Sequence, residues 1–484
     1  MSSELPADAT VPRRDLGKCA VRNTLVVLAA RVVSRLVSLV MVIVLATHLG
    51  AGGYGRYTTL IAYSALISVL ADLGLNTLYT REAARAPDRL SDFLASLLSG
   101  KLALAVGTSA VLAFALSRIG LGGLAVPGAA LLLLTTYANL LRNTFYALGR
   151  LQFEAAAIVG ETVIQACLIL LGAHRGAGVG WFVWSYAASY AFTAAYCLAV
   201  IPIFRMGRIR AGFNGRLFVR WLRIGLPFAI GILLTNLYFK ADVPILQHFR
   251  PFREVGWYQF AYKPFEALQF VPLAVQSVVY PVIAVYHRVS PSQVQAAYER
   301  FFKVLALLGL PLTAGTFVLV HPVGRLFRLF PQSEPALRIL AFGIVFLFVN
   351  SAFTATLYAI DRQDLFAWTT GIAVAVNVGL NVILIPRLGY LAAAATTVVT
   401  EASFSIAGCW FVGRRHPLPW FRLSWRLLLA ATIMAVAVYP LRHHAIYLSA
   451  PFGAVVYAIA VWALRAVRPE EVELFRRGLR RTWG

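Results

Sequence analysis

The chain reads as a succession of apolar runs of membrane length separated by short polar turns. Runs near 24–48, 54–80, 93–117, 121–146, 153–174 and 179–204 form a first set of six. Runs near 223–247, 256–286, 301–323, 337–360, 365–386 and 390–412 form a second set. Two more, near 427–446 and 449–467, bring the expected total to about fourteen. As a helix, each crosses a hydrocarbon core of about 30 Å at about 1.5 Å per residue. No connecting loop is long enough for a separate catalytic domain, so function has to sit among the helices.

The stretch 48–85, HLGAGGYGRYTTLIAYSALISVLADLGLNTLYTREAAR, shows how the pattern is organised. A Gly-rich turn opens it, Asp72 precedes a Leu-Gly pair near its end, and an arginine-rich turn closes it. Its GxY, Gly55 and Tyr57, recurs as Gly256 and Tyr258 at the head of another apolar run. An even number of spans separates the two copies, so both halves point the same way. Parallel repeats of this kind are typical of transporters that bind substrate where the repeats meet.

The expected organisation is therefore an N-terminal segment 1–22, a six-helix lobe 23–204, a basic connector 205–222, a second six-helix lobe 223–413, a helix pair 414–468 and a basic tail 469–484. The first run is longer than a signal-peptide core and no small-residue cleavage site follows it, so it reads as a retained helix. The fold class is an all-α polytopic membrane protein.

Composition agrees: 60% of residues are hydrophobic and 13% charged, with a mean hydropathy of +0.73. That is too much apolar surface for a soluble core. The net charge of +24 does not indicate nucleic acid, because the arginines cluster in short loops where anionic headgroups are the available partner and no nucleic-acid-binding signature accompanies them. The four cysteines, Cys19, Cys167, Cys197 and Cys409, lack ligand spacing and indicate neither metal nor disulfide.

Lys and Arg are denser in the N-terminus, in 81–92, 205–223, 288–303 and 414–426, and in the tail than in the alternate loops, which places both termini in the cytoplasm. The loop 325–338, with Arg325, Arg328 and Arg338, breaks this pattern. Within the connector, Phe213, Leu217, Phe218, Trp221 and Leu222 alternate with arginines, which suits either a short helix lying in the headgroup plane or a plain basic link. Pro264, Pro272 and Pro281 are expected to loosen the eighth span.

LATHLG, GGYGRY and LADLGLNTLYTREAAR in the first half, with NLYFKADVPIL and VGWYQFAYKPFEAL in the second, resemble the polysaccharide-transporter branch of the multidrug/oligosaccharidyl-lipid/polysaccharide flippase superfamily, the Wzx-type flippases of lipid-linked oligosaccharides. The resemblance implies two six-helix lobes around a cavity open alternately to either side. It also implies an undecaprenyl-pyrophosphate-linked glycan as cargo, an inner-membrane location, protons or sodium as coupling ion, and a glycan polymerase as candidate partner. No cofactor is expected. Val243 stands where many relatives carry Arg after the seventh-helix Asp.

The intramembrane charges supply the candidate site, because each costs about 2.5–3.5 kcal/mol on insertion scales unless it is met by a partner or by water. Arg31 and Arg35, four apart on the first helix, together with Lys240 and Lys263, are the candidate cargo-binding cations. The plainer alternatives are that Arg35 pairs with Asp72 and that Lys263 is neutralised by Glu266. Asp72, Glu161, Asp242 and Glu401 are the candidate coupling or gating carboxylates, with Glu161 and Glu401 lacking a partner at helical spacing. Asn350, Asn377 and Asn381 suggest hydrogen bonds between helices first and sugar contacts second.

Two other classes compete with this reading. A cation-coupled drug exporter of the same superfamily usually has a more compact twelve-helix plan; a lipid II flippase of that superfamily is a further alternative. A membrane enzyme is disfavoured, because the short outer loops hold neither Asp-x-Asp nor a His/Asp cluster, and His443 and His444 stand alone.

Overall fold

A computed structural model describes residues 13–210 and 212–467, with side chains from Val27 onward save those of 28 and 29. The basic tail 469–484 and the start of the segment 1–22 lie outside the described residues, as does the side chain of Cys19. Among the described residues the regular structure is helical throughout. In chain order the α-helices are α1 (Arg13–Asp72), α2 (Leu75–Arg85), α3 (Leu90–Arg118), α4 (Ala125–Ala147), α5 (Leu151–His174), α6 (Val179–Ile203), α7 (Gly215–Lys240), α8 (Asp242–Phe249) and α9 (Phe252–Leu268). They continue as α10 (Phe270–Val289), α11 (Pro291–Val318), α12 (Val320–Leu326), α13 (Ser333–Ala359), α14 (Gln363–Leu388), α15 (Tyr390–Gly413), α16 (Trp420–Val438) and α17 (Ile446–Ala463).

Among the described residues, thirteen helical stretches are long and apolar enough to cross a membrane. The first, Ala30–Asp72, runs 43 residues and breaks at Gly50, where φ is 65° and ψ 175°. A positive φ is cheap only for glycine, and the break divides the stretch into two crossings. The total is then the fourteen that the apolar runs indicate. The eighth span is interrupted at Gln269, between α9 and α10, with Pro264, Pro272 and Pro281 around it. Residues 215–222 form the first turns of the continuous α7. The amphipathic stretch in the connector is thus neither a separate in-plane helix nor a plain link: its apolar residues Phe218 and Trp221 are buried as part of a spanning helix.

The chain divides into two compact units. Unit 1 is Met1–Leu49 with Tyr63–Leu233, and unit 2 is Gly50–Ala62 with Leu234–Gly484. Unit 1 has a core in which Leu78, Tyr79, Phe93, Phe145 and Cys197 pack together. Unit 2 is centred on α13, where Phe348 and Phe353 meet Phe265, Tyr298 and Phe301.

In a membrane, helix association relies on close packing rather than on release of water, and small residues let backbones approach. Unit 2 shows this at the repeated motif. A Cβ on Gly55 would lie 1.8 Å from the carbonyl oxygen of Phe252, and one on Gly256 would lie 1.9 Å from that of Ala51. The two GxY copies therefore cross backbone against backbone, with Tyr54 buried beside Phe260 at a ring-centroid distance of 5.6 Å. Unit 1 holds a second crossing of this kind. Leu73 (φ 46°) and Gly74 (φ 76°) end α1, and a Cβ on Gly74 would lie 2.3 Å from the carbonyl oxygen of Gly225 in α7.

Gly256→Ala is expected to destabilise the protein by about 1–3 kcal/mol, the usual cost of overpacking, as read from thermal unfolding in detergent. Gly371→Ala, where an added Cβ meets nothing within 4 Å, is expected to be neutral or slightly stabilising, as Ala is favoured over Gly in a helix.

Candidate functional site

Helices α1, α2, α4, α5 and α7 of unit 1 line an open polar pocket of about 700 Å³. Arg31, Arg81 and Arg142 line it, with Asp72 and Glu154 as the acidic members and Asn76, Asn139, Asn143 and Tyr146 among the neutral ones. Three guanidinium groups against two carboxylates, ringed by amides and hydroxyls, make a surface able to hold an anionic, hydroxyl-rich molecule.

The charges are organised by pairing between helices. Glu154 is 1% exposed and accepts a bidentate pair from Arg142, Nη2 to Oε1 at 3.0 Å and Nε to Oε2 at 3.1 Å. Tyr146 donates to the same Oε1 at 2.9 Å. Arg142 also reaches Glu161 through Nη1 at 3.0 Å, and Thr193 donates to that carboxylate at 2.9 Å. Glu161 is thus not a lone carboxylate. Its partner comes from α4, where spacing along its own helix cannot reveal it.

Arg31 is held more loosely. It donates to the Tyr146 hydroxyl, sits 3.6 Å from Glu154 Oε1, and keeps 53% of its side chain exposed. Arg35 is exposed and does not line the pocket. The Arg35–Asp72 pairing is not made either, because Asp72 meets Lys101 Nζ at 2.7 Å instead. Lys101 is fully buried and also donates to Asn76 Oδ1 at 3.0 Å. Asp72 Oδ1 in turn accepts the backbone N–H of Asn76 at 3.2 Å, at the start of α2. That places Asp72 as an anchor for the turn that begins α2.

Lys101, Arg142 and Glu154 were not singled out by sequence reasoning. Arg142 and Glu154 lie near the ends of adjacent apolar runs, where charge reads as interfacial. The available signal was Glu154 and Glu161, seven apart and so on one helix face, calling for a cation from a neighbouring span.

Unit 2 meets its buried carboxylates differently. Asp242 accepts from the Tyr258 hydroxyl and, at 2.9 Å, from the backbone N–H of Val243, while Tyr258 also lies 2.9 Å from the Thr397 hydroxyl. Glu401, 2% exposed, accepts from Asn350 Nδ2 at 2.8 Å and hydrogen-bonds Tyr238. Asn350 Oδ1 in turn accepts from Ser405 at 2.5 Å. Asn377 donates to Thr400 at 3.1 Å and accepts from Asn381 at 3.0 Å, so these asparagines do bridge α14 and α15. Lys263 pairs with Glu266 at 2.6 Å, as its spacing suggests, and Lys240 reaches the same carboxylate at 3.9 Å. Among the described residues, no group of three or more His, Cys, Asp or Glu side chains is placed to hold a metal ion.

Helices this numerous and apolar define a multi-pass membrane protein. Comparison with known proteins makes the class specific. Residues 20–287, more than half of the chain, match the family described as polysaccharide biosynthesis protein, and residues 227–383 match the MatE family. The fold is similar to that of a lipid II flippase, MurJ, in an inward closed conformation, with a TM-score of 0.73 and 14% identity over 93% of this chain and 98% of that one. It is also similar to an inward-facing multidrug resistance MATE family transporter, with a TM-score of 0.64 and 16% identity over 79% and 94% of the two chains. A curated relative, an uncharacterized membrane protein of Methanocaldococcus jannaschii, is 27% identical over 134 residues, which is only 25% of this chain and 26% of that protein. The chain belongs to the polysaccharide biosynthesis protein family, within the multidrug/oligosaccharidyl-lipid/polysaccharide flippase superfamily. The two solved structures it is similar to are a flippase and a transporter.

Removing one member of a buried ion pair strands the other, at a cost of about 3–5 kcal/mol. Lys101→Met is expected to lower stability by that amount in detergent melting. Adding Asp72→Asn is expected to recover most of the loss, because it removes the stranded charge.

Proposed function

We propose that this protein is a flippase that carries an undecaprenyl-pyrophosphate-linked oligosaccharide, an exopolysaccharide or surface-antigen repeat unit, from the cytoplasmic to the outer leaflet by alternating access. The observation that carries this reading is the unit 1 pocket, whose exposed Arg31 faces asparagines and hydroxyls in about 700 Å³ of space. A guanidinium fork suits a pyrophosphate, and amides and hydroxyls suit sugar. The family match over residues 20–287 supports the glycan branch. In this reading Arg31 contacts the anionic part of the cargo, Arg142 orders the wall behind it, and Lys240 and Lys263 are spent on Glu266. Asp242 and Glu401 are the carboxylates assigned to coupling by protons or sodium, since their hydrogen-bond donors are neutral side chains or backbone. The density of Lys and Arg in alternate loops supports an inner-membrane chain with both termini in the cytoplasm. A glycan polymerase would then receive the product on the far side.

A lipid II flippase is the second reading, favoured by the similarity to MurJ over 93% of the chain. The deciding experiment is leaflet translocation in proteoliposomes, with a fluorescent undecaprenyl-pyrophosphate oligosaccharide and fluorescent lipid II compared with and without a pH gradient. Faster protein-dependent movement of the oligosaccharide supports the first reading. Exclusive movement of lipid II supports the second, and export of a small cationic dye alone would reject both. Arg31→Ala is expected to reduce oligosaccharide translocation by about tenfold, the loss of one charge-assisted contact. Arg35→Ala is expected to leave it unchanged.

A further inference from the structure

The first two turns of α7 carry a second basic feature, separate from the pocket. Arg216, Arg220 and Arg223 fall at i, i+4 and i+7 and therefore share one face of the helix. All three are exposed, and with Gly215, Val219 and Ile224 they line an open groove of about 680 Å³. The opposite face is fixed to the rest of unit 1. Trp221 packs against Phe93 at a ring-centroid distance of 4.9 Å, and the Phe218 ring fills the space where a side chain at Gly100 would be.

The segment leading into α7 is also tied down. The backbone N–H of Arg208 donates to Ser91 at 2.8 Å, and Ser99 donates to the carbonyl of Gly212 at 3.1 Å. Asn214 Oδ1 accepts the N–H of Leu217 at 3.0 Å in the first turn. The arginines are thus presented by a held element rather than by a free loop.

Two observations state what the groove is complementary to. From 162 to 241 the sequence contains no Asp or Glu, so the positive charge of this face is not offset along the chain. Beyond Arg223, exposure continues through Ile224, Leu226, Ile230 and Leu233, all apolar. One strip of α7 therefore passes from three guanidinium groups to an exposed apolar surface. Arg216 and Arg223 lie about 10 Å apart along the axis, a depth that covers the headgroup layer and the top of the hydrocarbon, within reach of a snorkelling arginine. The complementary molecule has a phosphate head and apolar tails.

We propose that this strip is a binding site for an anionic phospholipid of the surrounding bilayer, the phosphate held by Arg216, Arg220 and Arg223 and the acyl chains lying along Ile224, Leu226 and Ile230. The site is distinct from the cargo pocket and does not depend on which cargo is carried.

The test is lipid retention by the full chain in native mass spectrometry, titrating dioleoyl phosphatidylglycerol against dioleoyl phosphatidylcholine. The wild type is expected to retain phosphatidylglycerol preferentially. Arg216→Gln/Arg220→Gln/Arg223→Gln is expected to weaken that binding by about 100-fold, at roughly a kcal/mol per basic residue. The corresponding triple Lys variant is expected to keep most of it, and Arg220→Gln alone to show an intermediate loss should the triple Gln variant fold poorly. Equal retention of the two lipids by the wild type, or an unchanged preference in both Gln variants, would overturn the proposal. Displacement of phosphatidylglycerol by inorganic pyrophosphate at matched ionic strength would also overturn it, by showing that a soluble anion suffices.

Discussion

A charged side chain among apolar helices has to be met by another group, and that requirement fixes the layout of unit 1. Arg142 joins two helices by reaching from α4 to both Glu154 and Glu161 on α5, and Thr193 of α6 closes on the second carboxylate. Lys101 of α3 pairs in the same way with Asp72 Oδ1, which also accepts the backbone N–H of Asn76 at the start of α2. The net gain of such pairs over well-packed apolar residues is small or negative. What they contribute is position, because the donors and acceptors can be satisfied in only one arrangement of the helices.

The helices themselves were legible in the sequence, because a run of twenty apolar residues leaves the backbone no alternative in hydrocarbon but to satisfy its hydrogen bonds internally. The GxY repeat was legible too, though its physical meaning was not: Gly55 and Gly256 repeat because each lies against the backbone that carries the other. The charge pairing was legible only within a helix. Lys263 and Glu266 were readable at three residues' spacing, whereas Glu161, Asp72 and Lys101 find their partners on other helices, 19 or 29 residues away. Spacing along the chain holds no information about those neighbours until packing is known. The amphipathic stretch in the connector misled for a related reason. Phe218 and Trp221 face protein, as part of the first turns of α7, while Phe213 stays exposed ahead of the helix.

The two units treat their buried carboxylates unequally. Glu154 and Asp72 of unit 1 are paired with arginine or lysine. Asp242 and Glu401, the two most buried carboxylates of unit 2, receive hydrogen bonds from tyrosine, asparagine and a backbone amide, and unit 2 pairs its less buried Glu254 and Glu266 with arginine and lysine. A carboxylate paired with a guanidinium gains little from taking up a proton or a sodium ion. One supported by neutral donors keeps lone pairs and charge to offer. An ion-coupled cycle would therefore draw on unit 2, and recognition of an anionic cargo on unit 1.

Under the proposed function, recognition and release make opposite demands on a cation, and the two arginines around Glu154 would divide them. Arg142 is 14% exposed and donates three hydrogen bonds to two carboxylates, so an anion would have to break a buried network to capture it. Arg31 is half exposed and shares Glu154 at 3.6 Å, an arrangement in the range where ion pairs contribute about 0–1 kcal/mol. A phosphate can displace that contact at little cost, and Glu154 stays satisfied by Arg142 and Tyr146 when it does. When the anion leaves, the same carboxylate is there to receive Arg31 again. If Arg31 contacts the cargo as proposed, the fixed pair behind it is what makes the exchange inexpensive.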